Sequence, residues 1–110
     1  AKLNNLDHFI EFKVADATML EKSYSNIDKI VTNPPYGLKV GKRKDMKAFY
    51  WKFLDSSNKV LNREGRIVLI TLRADMFRNI VIRSKIYKIV HERVVESGGI
   101  YPHVFILEKI

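Results

Sequence analysis

The chain has 110 residues, 46% of them hydrophobic and 29% charged, and its 20 Lys and Arg against 12 Asp and Glu leave a net charge of +8. That composition suits one ordinary globular domain, and the absence of cysteine excludes disulfide frameworks, iron–sulfur clusters and thiolate zinc sites. No apolar run approaches the ~20 residues that span a bilayer, and Ala1-Lys2-Leu3-Asn4-Asn5-Leu6 lacks the apolar core of a signal peptide, so a cytoplasmic protein with no membrane contact is expected.

In chain order, Phe9–Val14 alternates, with Ile10, Phe12 and Val14 on one side and Glu11 and Lys13 on the other, which predicts an edge strand with one wet face. Ala17–Lys22 can form a short helix that Asp16 or Thr18 would cap. Ile30-Val31-Thr32 is a short apolar strand that runs into Asn33-Pro34-Pro35-Tyr36-Gly37, where the prolines stop it because neither can donate to a ladder. From Asp45 to Leu61 the pattern turns helical: Met46, Phe49, Tyr50, Phe53, Leu54, Ser57, Val60 and Leu61 follow i, i+3, i+4, i+7 spacing. Asn62-Arg63-Glu64-Gly65 is expected to close that helix with its glycine. Ile67–Leu72 is continuously apolar and should be covered on both faces, as parallel strands are. A helix over Ala74–Lys85 follows, then strands over Ile89–Val95 and Val104–Leu107 joined through Ser97-Gly98-Gly99 as an antiparallel hairpin. Alternating strands and helices predict a three-layer α/β sheet of doubly wound type.

In such sheets ligands bind beyond the carboxyl ends of the strands. Two polar positions fall there: Asp16 after the first strand, and Asn33-Pro34-Pro35-Tyr36 after the second. The Asn33 side-chain oxygen and the Pro34 carbonyl can accept both hydrogens of a planar exocyclic amine. Proline fixes φ and so holds that carbonyl in place. Tyr36 can stack on a base. A proline-rich turn would also use these residue types, but a chance match to the whole run is on the order of 10⁻⁵. Asp16 serves equally well as a helix cap. His8, His91 and His103 show no metal-ligand spacing, and satisfied or exposed histidines account for them.

Val31-Thr32-Asn33-Pro34-Pro35-Tyr36-Gly37 resembles the amino-methylating motif of class I S-adenosylmethionine-dependent methyltransferases. The resemblance implies a Rossmann-like sheet of order 3-2-1-4-5-7-6, S-adenosylmethionine as cofactor, and a target amine held by Asn33 and Pro34, with Pro35 and Tyr36 completing the catalytic motif. Val14-Ala15-Asp16-Ala17 is similar to the family's earlier motif, which implies that Asp16 and Ala17, together with Asn33, face the cofactor. With Gly37, the basic stretch after it and Gly98-Gly99-Ile100-Tyr101-Pro102, the chain resembles archaeal and bacterial RNA guanine-N2 methyltransferases that carry a THUMP domain. The implied activity is methyl transfer to the N2 amine of a guanine in RNA, with tRNA as the expected substrate.

Charge distribution agrees. Gly37–Arg93 carries +10 and the remainder −2, and the densest run is Lys39, Lys42, Arg43, Lys44 and Lys47. Such a run can be a solvated loop. Beyond a base-binding motif it reads as a phosphate-facing nucleic-acid surface. Two family parts are missing, a glycine-rich turn ahead of Asp16 and the two strands that should separate residues 9–14 from the strand at 30–32. Residues 1–110 are therefore read as the C-terminal half of a methyltransferase domain, inactive alone, whose N-terminal half or a partner chain supplies the rest. An adenine-N6 methyltransferase and a protein-glutamine methyltransferase use the same tetrapeptide. A non-catalytic RNA-binding module is the alternative from another class.

Overall fold

The computed structural model describes residues 9–10, 25–33 and 43–110. Their elements run β1 (Phe9–Ile10), β2 (Ile27–Thr32), α1 (Arg43–Val60), β3 (Leu61–Thr71), α2 (Ala74–Ser84), β4 (Tyr87–Val94) and β5 (His103–Lys109). The five strands form one sheet in the order β1-β2-β3-β5-β4. β1, β2 and β3 are parallel, and β5 runs antiparallel between β3 and β4. From β2 onward this is the 4-5-7-6 half of the order that the sequence implied. The helix expected at Ala17–Lys22 and the strand residues 11–14 lie outside the described residues.

Three expectations change. Phe9–Ile10 pairs directly with Lys29 and Ile30 rather than lying two strands away. The outer edge of β2 presents unpaired N–H and C=O groups, and a parallel segment satisfies them. Second, α1 ends at Val60, as Asn62–Gly65 implied, but those four residues belong to β3, where they bulge opposite Asp28 between the pairs Ile27–Leu61 and Lys29–Arg66. Closure comes from the far end of the chain, where the Lys109 ammonium donates to the carbonyls of Asn58 (3.1 Å) and Leu61 (2.6 Å), groups that a helix end leaves without partners. Partial burial there lowers the Lys109 pKa, and nearby Arg63 adds to the shift.

Third, β3 alternates. Ile67, Leu69 and Thr71 are buried, whereas Val68 and Ile70 are half-buried. Both described helices pack on the first of these faces, so the described residues build two of the three layers that the sequence pattern suggested.

Helix α1 buries Met46, Tyr50, Phe53, Leu54, Ser57 and Val60 along the stripe read from its sequence, and leaves Trp51 exposed. Helix α2 adds Met76, Phe77, Ile80 and Val81, and ends where Lys85 adopts a left-handed φ of 59°. Ile30, Ile67, Leu69, Phe105 and Leu107 complete the core from the sheet. The β4–β5 connection closes on Gly98 and Gly99, with φ of 58° and 88°. Two consecutive positive φ values are cheap only for glycine.

Gly65 is required for a different reason. A Cβ there would stand 2.9 Å from the Asp28 carbonyl oxygen and 2.6 Å from Leu61 Cδ1. The β2–β3 register shifts at this place, since Ile27 faces Leu61 but Lys29 faces Arg66. Gly65→Ala is expected to destabilise the fold by about 1–3 kcal/mol, because the Asp28 backbone cannot yield as a side chain could. Urea denaturation checks this.

One buried polar contact ties α1 to β4. The Ser57 hydroxyl donates to the Leu54 carbonyl (3.0 Å), so the Tyr87 hydroxyl donates to Ser57 Oγ (2.7 Å). Burial pushes the Tyr87 phenol from 10.0 up to about 12. A raised folded-state pKa contributes stability that is complete below pH 10 and lost as pH climbs towards 12. Tyr87→Phe leaves Ser57 with its Leu54 acceptor and should cost about 1 kcal/mol at neutral pH. Urea midpoints should show the deficit shrinking across the alkaline window.

Candidate active site

Parallel β2 and β3 direct their carboxyl ends to one edge of the sheet. Strand β2 ends on Thr32, which is buried and sits opposite Leu69. Asn33 is the next residue, outside the ladder and exposed. A strand that buries its last side chain and then breaks delivers Asn33 to solvent at the place where α/β sheets bind ligands.

The same edge carries the end of β3 and the start of β5, with Thr71 opposite His103. Thr71 is fully buried, and its hydroxyl meets the Tyr50 hydroxyl at 2.6 Å and accepts from the Arg73 backbone N–H at 2.9 Å. The Arg73 carbonyl in turn accepts from the Phe77 N–H at 3.0 Å. The turn between β3 and α2 is therefore held on both sides of Arg73.

Next to it lies a chain of charges. His103 Nδ1 is 2.7 Å from Glu92 Oε2. Arg78 donates to both Glu92 oxygens and, through Nη1, to Asp75 Oδ1 at 2.9 Å. The Arg78 guanidinium, assisted by His103, holds the Glu92 carboxyl below the usual carboxylate range against a smaller desolvation effect. The Arg78 guanidinium also lies over the Phe105 ring, 5.8 Å from its centroid. His103 is a satisfied histidine, as its sequence context suggested, and His91 is exposed.

Of the residues singled out from sequence, Asn33 stands exposed on the carboxyl edge, and Lys47 is exposed on α1. Arg43 and Lys44 fall in the first turn of α1. Asp16, Ala17, Pro34, Pro35, Tyr36, Lys39 and Lys42 lie outside the described residues. The grouping of Arg73, Tyr101 and His103 on one edge was not anticipated. Its signal was the position of Leu72-Arg73 directly after an apolar strand, where a ligand-facing residue belongs. Among the described residues no group of three His, Asp or Glu could hold a metal ion, and no helix is long and apolar enough to cross a membrane.

Comparison with known proteins gives one consistent answer. Over 102 residues the chain is 38% identical to a tRNA (guanine(6)-N2)-methyltransferase of Thermus thermophilus, covering 93% of this chain and 30% of that protein. A tRNA (guanine(6)-N2)-methyltransferase of Methanocaldococcus jannaschii is 33% identical over 98 residues, covering 89% of this chain and 26% of its own length. The crystal structure of TrmN from Thermus thermophilus superposes with a TM-score of 0.74 at 38% identity, over 86% of this chain and 27% of that one. The chain thus spans less than a third of the length of each of these three. Residues 1–103 match the model of the UPF0020 family, described as an RMKL-like methyltransferase domain. With its carboxyl-edge asparagine and its half of a Rossmann-like sheet, the chain belongs to that family.

Proposed function

We propose that the protein carrying this chain transfers a methyl group from S-adenosylmethionine to the N2 amine of a guanine in tRNA. The observation that carries the reading is Asn33, exposed beyond a buried strand end on the carboxyl edge, in a chain 38% identical to a tRNA (guanine(6)-N2)-methyltransferase. This edge, where β2 and β3 end side by side, is where α/β sheets bind their ligands. Bound S-adenosylmethionine would supply an electrophilic methyl group.

The chain's own residues do the rest by orientation. The side-chain oxygen of Asn33 and the Pro34 carbonyl accept the two amine hydrogens. That weakens the amine's conjugation with the ring and turns its lone pair towards the methyl. Pro35 would complete the motif, and Tyr36 would stack on the base. The N–C bond would form as the sulfonium's bond to the methyl breaks, leaving S-adenosylhomocysteine, and the amine would give up a proton to solvent. Asp16 and Ala17 would face the adenine of the cofactor. Lys39, Lys42, Arg43, Lys44 and Lys47 would take RNA phosphates. Residues 1–110 would form the substrate-facing C-terminal part of the catalytic domain, completed by the remaining strands from the same polypeptide or from a partner.

The test is methyl transfer by the intact protein to an unmodified tRNA transcript, with the product nucleosides separated by mass spectrometry. N2-methylguanosine is the expected product. N6-methyladenosine would shift the substrate to adenine, and no methylated nucleoside would overturn the reading.

A further inference from the structure

Where β3, α2 and β5 meet, the structure has a cleft of about 400 Å³ lined by Leu72, Arg73, Ala74, Asp75, Met76, Tyr101 and His103. Its charges are almost all committed. Asp75 pairs with Arg78, and His103 pairs with Glu92. Arg73 is the exception, since its Nε is buried and has no hydrogen-bond partner among the described residues. A buried guanidinium N–H without an acceptor is costly, and the hydrogen bonds at Arg73 N and O hold its backbone in position. Across the cleft Tyr101 is 60% exposed, although it follows a structured glycine turn.

A guanidinium whose Nε lacks an acceptor among the described residues, beside an uncovered aromatic ring, is a pairing that fits a nucleotide, the phosphate on the arginine and the base on the ring. We propose that this cleft is a second RNA subsite, which takes the nucleotide next to the one methylated, with its phosphate on Arg73 and its base on Tyr101. The assignment rests on Asn33 as the amine-binding residue. In the sheet order β2-β3-β5, the start of β5 stands two strand spacings from Asn33, roughly 9.5 Å. The cleft is therefore offset along the carboxyl edge from Asn33, the direction in which the neighbouring nucleotide would lie. The subsite would fix which nucleotide reaches Asn33.

The experiment measures tRNA affinity, its salt dependence and methyl-transfer kinetics for the intact protein and four variants. Tyr101→Ala is expected to weaken tRNA binding about tenfold and Tyr101→Phe hardly at all. Arg73→Ala should weaken binding and lower the salt slope by about one, and Arg73→Lys should restore the slope. KM should rise while kcat stays within about threefold. An abasic nucleotide beside the target should reproduce the Tyr101→Ala loss and add nothing to it. If wild-type protein methylates tRNA but the alanine variants keep its affinity and slope, the subsite is overturned and the proposed function stands. A fall in kcat alone would overturn it too. If no RNA is methylated while both alanine variants still lose affinity as stated, the RNA subsite survives and the enzymatic reading falls.

Discussion

Replacing Asn33 by alanine in the intact protein is expected to lower methyl-transfer turnover by about 10²–10³-fold, the usual effect of removing one preorganised hydrogen-bonding group from a reacting centre. Binding of tRNA should change by less than about threefold. The separation follows from where Asn33 sits. Thr32 before it is buried and paired opposite Leu69, so the strand end does not depend on the Asn33 side chain. Asn33 itself is exposed, and truncating an exposed side chain usually alters stability by less than about 0.5 kcal/mol. On the proposed function, alanine removes the acceptor that would orient the amine, an interaction that matters most as the N–C bond forms. Phosphate contacts elsewhere would still hold the RNA. Single-turnover methyl transfer and filter binding read the two quantities separately. Equal losses in both would mean that Asn33 binds RNA without orienting the amine.

Legibility from sequence followed the range of the forces involved. The α1 stripe of Met46, Tyr50, Phe53, Leu54 and Ser57 was readable because a 3.6-residue period is imposed by the helix itself. Asn33 was readable because a proline after a short apolar run must end a strand, and strand ends in α/β sheets face ligands. The end of α1 at Val60 was readable from Asn62–Gly65, but the bulge those residues form opposite Asp28 was not, because it depends on the register with β2, and the Lys109 contact depends on the last strand. Continuous apolarity of Ile67–Leu72 suggested cover on both sides, but apolar content does not say which face a helix takes. The Arg73–Tyr101–His103 cleft was hidden for a different reason. The implied order already put β5 beside β3, but which side chains after β3 and ahead of β5 line a cavity there depends on packing between residues far apart in the chain.

Phe77→Ala is expected to cost about 3–5 kcal/mol, a large fraction of the ~5–15 kcal/mol that holds a typical domain together. Phe77 is fully buried on α2, with its ring 4.9 Å from that of Tyr50 on α1 and 5.1 Å from that of Phe105 on β5. The edge-on and tilted geometries are the favourable ones for aromatic pairs, so truncation removes two ring contacts and leaves a cavity that rigid neighbours cannot fill. Phe77→Leu keeps most of the volume and should cost about 1.5 kcal/mol or less. Urea denaturation measures both, and a cost below about 1 kcal/mol for alanine would show that α2 is not anchored through this ring. The loss should also reach the carboxyl edge. Tyr50, which packs on Phe77, meets the Thr71 hydroxyl that fixes the Arg73 amide, so loosening one ring would loosen the turn that aims Arg73. At temperatures where the variant remains folded, tRNA affinity should fall more for Phe77→Ala than for Phe77→Leu.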